Sequence, residues 1–194
     1  GEKLPENMDE HDLAVIYGGP PSANDDLDYI KYEIDWISKV LESNKPFLGI
    51  CLGAQMLAKN LGGAVQKSHD LTLEIGFFDI DPTGDGHKMF QSQKKFFQWH
   101  REGFTVPKSC EILANGDLFR EQAFRYKNAL AIQFHPEVNL KMHLRWLYYA
   151  GYMLKEKGAQ NRREQLTHRL KHGKKINLWL DSFLDNYLLK DINS

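Results

Sequence analysis

The sequence predicts an α/β protein: an open, mostly parallel sheet flanked by helices, with an added β section and C-terminal helices. Two short apolar runs, residues 13–17 and 46–50, each feed a helical pattern, the alternation from which parallel sheets are wound. The second run ends in Leu48-Gly49-Ile50-Cys51-Leu52-Gly53-Ala54-Gln55, a strand that turns sharply into a helix around a cysteine. From residue 73 to residue 134 the pattern changes to shorter strands between turns, which is the added β section.

The first run, Asp12-Leu13-Ala14-Val15-Ile16-Tyr17, stops at Gly18-Gly19-Pro20-Pro21, a strong turn signal. Leu27, Ile30, Ile34, Ile37 and Leu41 then recur at three- and four-residue spacing, one face of a helix. Asp25, Asp26 and Asp28 suit the positive N-terminal end of its dipole. After the 46–50 strand, Ala54, Leu57, Ala58 and Leu61 mark a second helix, closed by Gly62-Gly63. Strands are expected over 73–80, 96–99, 111–114, 121–126 and 129–134. Beyond Glu137, Leu140, Leu144, Leu147 and Tyr148 share a helical face. Residues 155–175 are highly charged, and the basic residues there, Arg169 among them, read as a solvated helix face. Ile176, Trp179, Leu180, Phe183, Leu184, Tyr187 and Leu188 form an apolar stripe that packs back on the domain.

Cys51 is the first candidate for chemistry. Glycines two residues before and two after it permit a tight corner that larger side chains would obstruct, the thiol version of a nucleophile elbow. The helix that starts there adds positive potential, which favours a thiolate. A base is offered far downstream in Ala131-Ile132-Gln133-Phe134-His135-Pro136-Glu137. His135 can take the thiol proton and Glu137 can steady the imidazole, the logic of a catalytic triad. Gly18, Cys51 and His135 each follow an expected strand directly, so three strand ends converge on the edge where such sheets bind ligands. Cys110 lacks this setting and reads as a structural or loop residue.

These residues carry a family resemblance. Gly18-Gly19-Pro20, Gly49-Ile50-Cys51-Leu52-Gly53-Ala54-Gln55, Glu74-Ile75-Gly76 and Phe134-His135-Pro136-Glu137 resemble the class I, triad-type glutamine amidotransferases, a flavodoxin-like fold. Gly18-Gly19-Pro20-Pro21-Ser22-Ala23-Asn24-Asp25 and Phe97-Gln98-Trp99-His100 are most similar to the stand-alone GMP-synthase-like branch. The resemblance implies an oxyanion hole from the Gly19 and Leu52 amides, and substrate contacts from Gln55, Trp99 and His100. It also implies an extra first strand and helix. Nothing in the opening residues fills that role, so a sheet lacking them is expected. One departure stands out: relatives often read His-Gly-Asp where this chain has His100-Arg101-Glu102, which sets free glutamine as substrate in question.

The expected organisation is an amidotransferase-like domain over 1–154 and a helical extension over 155–194 packed on the same domain. The expected activity is hydrolysis of a γ-glutamyl amide through a cysteine thioester, releasing ammonia or an amine. The alternatives are a γ-glutamyl peptide hydrolase or cysteine peptidase of the same superfamily, and a non-catalytic regulatory or binding subunit. The substrate is glutamine or a γ-glutamyl compound, and a synthetase partner or a homodimer is the expected assembly. A formal net charge of -1 gives no reason to expect nucleic acid or an anionic membrane as partner. Two cysteines suit a reducing compartment, and no apolar run is long enough to span a bilayer, so the expected location is the cytoplasm. No phosphate loop, dinucleotide fingerprint, H-E-x-x-H or C-x-x-C motif occurs, and the eight histidines lack metal spacing, so no cofactor or metal is expected.

Overall fold

In the computed structural model, which describes residues 3–189, the chain runs through β1 (Ala14–Ile16), α1 (Asp28–Glu42), β2 (Phe47–Ile50), α2 (Leu52–Asn60), β3 (Ala64–Lys67), β4 (Glu74–Asp79), β5 (Asp81–Pro82), α3 (Gly86–Met89), β6 (Lys95–His100), β7 (Glu102–Thr105), β8 (Glu111–Asn115), β9 (Glu121–Tyr126), β10 (Ala129–Ile132), α4 (Leu140–Tyr149) and α5 (Arg162–Phe183). The main sheet has the order β1-β2-β10-β9-β7-β3, with β8 and β5 branching from β9. β1, β2 and β10 are mutually parallel, and this block carries the predicted strand ends. The antiparallel strands beyond β10 are the added β section. A separate antiparallel ribbon pairs β4 with β6. Among the described residues no strand precedes β1, which forms one edge of the sheet. The chain before it lies against α1, with Met8 buried and Trp36 Nε1 donating to Pro5 O at 2.7 Å.

Side-chain alternation along the parallel strands sorts residues onto two faces. Phe47, Ala129 and Ala131 face α1 and α2, where Ile30, Ile37, Val40, Ala54, Leu57 and Ala58 complete an aliphatic core. Leu48, Ile50, Leu130 and Ile132 face the other way, onto the β4–β6 ribbon and α5. That second core is aromatic: Phe96 stacks on Phe134 with ring centroids 4.1 Å apart, and Trp179 meets Phe90, Phe96 and Phe183. Trp179 also donates its indole N–H to Met89 O at 2.8 Å, so the one polar atom of a buried ring is satisfied.

The tail differs in detail from the expectation. Residues 162–183 join most of the charged stretch to the first part of the apolar stripe in one continuous helix of 22 residues, α5, opened by a capping box between Asn161 and Glu164. Its apolar residues pack on the aromatic core. The basic cluster is not uniformly solvated, because Arg169 is buried, 4 % exposed. Just before α5, the segment 157–160 runs along the outer edge of β4. Leu73 N donates to Lys157 O and Gln160 N to Ile75 O, both at 2.8 Å. The Gln160 side chain accepts from Phe77 N at 2.9 Å and donates to Phe77 O at 2.8 Å, standing in for the strand that β4 lacks on that side.

Candidate active site

The corner between β2 and α2 holds Cys51 at φ 51, ψ -103, a conformation that costs a non-glycine residue strain and persists only where its surroundings impose it. Those surroundings are explicit. Cys51 N donates to Ile132 O at 2.9 Å, and Gln55 N donates to Cys51 O at 3.0 Å, which ties the corner to β10 and to the first turn of α2. The flanking glycines are needed for close approach. A Cβ on Gly53 would lie 2.0 Å from Ile16 O, and one on Gly49 would lie 2.6 Å from Gly53 O. The corner therefore fits only because strand and helix touch backbone to backbone.

β10 delivers the second group. Gln133 N donates to Gln122 O and His135 N to Phe97 O, both at 2.8 Å, so the loop carrying His135 is fastened to β9 and to the ribbon. His135 Nδ1 meets Glu137 Oε1 at 2.7 Å. Its Nε2 carries no well-aligned hydrogen bond, and the Cys51 sulfur is the group in reach of it. Both side chains converge on Gly18, where an added Cβ would lie 2.7 Å from His135 Cε1 and 3.2 Å from Cys51 Cβ. Trp146 meets the imidazole edge to face, with centroids 5.0 Å apart. Burial works against a charged imidazole here. The Glu137 carboxylate and the cysteine sulfur, through charge and hydrogen bonding, outweigh it and raise His135 to about 10. An imidazolium in this place donates from Nδ1 to Glu137 and from Nε2 toward sulfur.

A cavity of about 480 Å³ opens beside Cys51 and His135. Gly19, Leu52, Gln55, Trp99 and His100 all line it. Gly19 lies against Leu52, since a Cβ on it would be 3.5 Å from Leu52 Cδ2. The Gln55 amide is already engaged, donating to Glu102 O at 2.9 Å and to Gln133 Oε1 at 3.3 Å, so it braces the cavity floor. Trp99 does two things: it packs on Phe97 and Trp146, with centroids 5.9 and 5.7 Å away, and it forms cavity wall. His100 sits in a buried polar cluster, its Nδ1 donating to Glu102 O at 2.9 Å and its Nε2 meeting Glu74 Oε2 at 2.8 Å. Gln122 donates to the same carboxylate oxygen at 2.8 Å.

Arg101, the departure noted in the sequence, lies on the cavity wall. Other cavity residues carry no signal in the sequence: Arg145, Trp146, Tyr149, Tyr152 and Met153. Arg101 reaches across the mouth to Pro20 O at 3.4 Å. The α4 side of the cavity looks in sequence like any amphipathic helix, and no motif separates its cavity face from its surface. Glu74 is visible as part of Glu74-Ile75-Gly76, but its partnership with His100 becomes evident only when β4 pairs with β6. No cluster of metal-ligating side chains occurs among the described residues, and no helix among them is long and apolar enough to cross a membrane.

Comparison with known proteins places the chain in a family. A family model described as glutamine amidotransferase class-I matches residues 2–150. The glutamine-hydrolysing GMP synthase subunit of Sulfolobus acidocaldarius is 34% identical over 143 residues, covering 71% of this chain and 73% of the relative. The glutamine amidotransferase-like protein YfeJ of Salmonella typhimurium is 30% identical over 152 residues, 73% of this chain and 63% of the relative. Among solved structures, a glutamine amidotransferase from Thermotoga maritima superposes with a TM-score of 0.85 at 31% identity, over 96% of this chain and 82% of that one.

Proposed function

Since the chain belongs to the class I glutamine amidotransferases, with relatives named as glutamine-hydrolysing, we propose that Cys51 is its nucleophile, His135 its acid and base, and Glu137 the group that orients His135. The observation that carries this assignment is the meeting of Cys51 with the hydrogen-bonded His135–Glu137 pair at neighbouring ends of the parallel strands β2 and β10.

The reaction follows from this arrangement. The Cys51 thiolate attacks the side-chain carbonyl carbon of the γ-glutamyl amide. Negative charge gathers on the carbonyl oxygen and is met by the backbone N–H groups of Gly19 and Leu52. The imidazolium gives its Nε2 proton to the departing nitrogen, so ammonia leaves and a γ-glutamyl thioester remains on sulfur. Neutral His135 then takes a proton from water. The resulting hydroxide attacks the thioester carbonyl, and glutamate departs as the thiolate–imidazolium pair is restored. Glu137 holds the imidazole through both steps. Gln55, Trp99 and His100 shape the pocket that receives the glutamyl group.

The released ammonia is handed to a separate synthetase chain, a reading supported by relatives that are named as subunits of a GMP synthase. A reducing compartment such as the cytoplasm, which keeps Cys51 a thiol, is part of the same proposal. A second reading is favoured by one specific observation. The cavity has room in the range of drug-sized ligands and is walled by Trp99, Trp146, Tyr149 and Tyr152, with Arg101 at its mouth. That wall suits a γ-glutamyl peptide or other γ-glutamyl amide with a bulky apolar amine as leaving group.

The test uses a glutamine-like diazoketone with mass spectrometry, together with ammonia release from glutamine. A single adduct on Cys51, absent in Cys51→Ala, with turnover falling by about 10⁴-fold or more in that variant, is the expected result. No adduct and no turnover on glutamine or γ-glutamyl amides would instead indicate a non-catalytic binding role.

A further inference from the structure

Behind Glu137 lies a second buried charge. Arg169, from the middle of α5, stacks its guanidinium on Phe77 and Phe97, 4.9 and 4.8 Å from the two ring centroids. Phe97 is the residue whose carbonyl holds the His135 backbone N–H, so Arg169 lies one layer below the catalytic loop. Its Nε donates to His143 Nδ1 at 3.3 Å. Both terminal nitrogens are buried without a hydrogen-bond partner, and so is Glu137 Oε2, the carboxylate oxygen that His135 does not use.

The chemistry of this layer is constrained. His143 is pushed down to about 4, chiefly by burial and also by the Arg169 charge, while its bond to Gln165 pulls the other way. It is therefore neutral near pH 7. Its Nδ1 accepts from Arg169, and its Nε2–H donates to Gln165 Oε1 at 3.0 Å. Burial also lowers Arg169, to about 10, so it remains a cation at neutral pH, and the opposing influence is the Glu137 charge. A buried cation is costly unless an anion or ordered dipoles compensate it. Glu137 is the anion whose charge acts on it, and its Oε2 is likewise buried without a partner.

We propose that Arg169 is a positioning residue for the triad: its guanidinium supplies the buried positive charge that keeps Glu137 turned toward His135. This rests on the triad reading above. It gives the C-terminal helix a part in the chemistry, although Arg169 lies beyond the residues that match the family. The other charged or titratable groups around the pair are Cys51 at the corner, His143 and the rim residue Arg145 on α4, His168 beside Phe77 on α5, and Glu74 with His100 in the ribbon. Of these, Arg145 lies at the cavity rim, whereas Arg169 is buried beneath the loop that carries His135.

Removing a positive charge makes nearby groups weaker acids, so the pH dependence of the site should move upward. The experiment measures the rate of Cys51 alkylation by iodoacetamide from pH 5 to 10, alongside kcat/KM for glutamine. The proteins are wild type, Arg169→Lys, Arg169→Gln and Arg169→Met, the last chosen to preserve volume should the glutamine variant fold poorly. The expected result is an alkylation profile shifted upward by about one pH unit in the Gln and Met variants and largely restored in Arg169→Lys. Profiles that superpose on wild type in whichever neutral variant folds would overturn the proposal and leave Arg169 a packing residue. Alkylation needs no turnover, so a protein inactive on glutamine still reports on Arg169, and failure of the glutaminase reading is seen separately.

Discussion

The two faces of the main sheet are built on opposite principles. On the α1–α2 side, alanines and glycines bring backbones together: Ala54 and Ala58 of α2 pack over Ala129 and Ala131 of β10, and Gly53 nearly touches Ile16 O. On the ribbon side, large rings hold the layers apart, and polar groups such as Arg169, His143 and Gln165 fit between them. Close backbone approach fixes where the sulfur points. Ring packing creates a low-dielectric layer in which a few charges act strongly on the imidazole. Position and charge state of one site thus come from different sides of the sheet.

If that division holds, the small-residue face should tolerate the least. Gly53→Ala forces a Cβ against Ile16 O, which neither β1 nor α2 can relieve without separating. The expected loss is on the order of 4 kcal/mol or more, a large part of the whole stability of a domain this size. Urea unfolding monitored by circular dichroism should find little or no folded protein; a stability near wild type would break the comparison at its first term.

Next comes the ring face. Trp179→Ala leaves a void beneath Phe96 and Phe134 and removes the bond to Met89 O. A cost of about 3–5 kcal/mol is expected, with the midpoint of thermal unfolding lowered accordingly. The corner geometry is made elsewhere, so diazoketone labelling of Cys51 at low temperature should persist in the folded fraction.

The pH dependence of stability is the most diagnostic. His135 is raised to about 10 and His143 lowered to about 4. Between pH 6.5 and 10 the native state holds a His135 proton that the unfolded state has lost, so this stabilisation is complete below pH 6.5 and declines as pH rises. Between pH 4 and 6.5 the unfolded state binds a proton that native His143 refuses, so that contribution is complete above pH 6.5 and declines as pH falls. Unfolding free energies measured across the range bounded by those two values should peak near neutrality. Glu137→Gln should flatten the alkaline limb and His143→Leu the acid limb; a limb unchanged by its variant would remove that histidine from the account.

Much of this site is legible in the sequence because its signals are local. The corner needs its glycines within two residues of Cys51, and Pro136 with Glu137 follows His135 immediately. The parallel strands read clearly because they are short, apolar and followed by turns. What escapes is long-range. β3, Ala64–Lys67, is a mostly exposed edge strand whose polar residues carry no period. A single residue, Arg101, separates β6 from β7, so His100 looks like a strand end facing a loop. Arg169 reads with its basic neighbours as solvated, because helical spacing cannot reveal which lysine or arginine faces an aromatic layer. Gln55 falls beside the cavity, as its spacing from Cys51 suggests, yet its hydrogen bonds to Glu102 and Gln133 depend on pairings no local pattern encodes.

The Gln160 side chain satisfies both the N–H and the C=O of Phe77, with backbone from 157–160 covering its neighbours. A two-stranded ribbon of Phe-rich sequence would otherwise present a bare template to which like chains could add. One amide thus works as a plug against self-assembly. Losing it would show first as fibrils or turbidity in concentrated solution, well before any fall in the activity of single molecules.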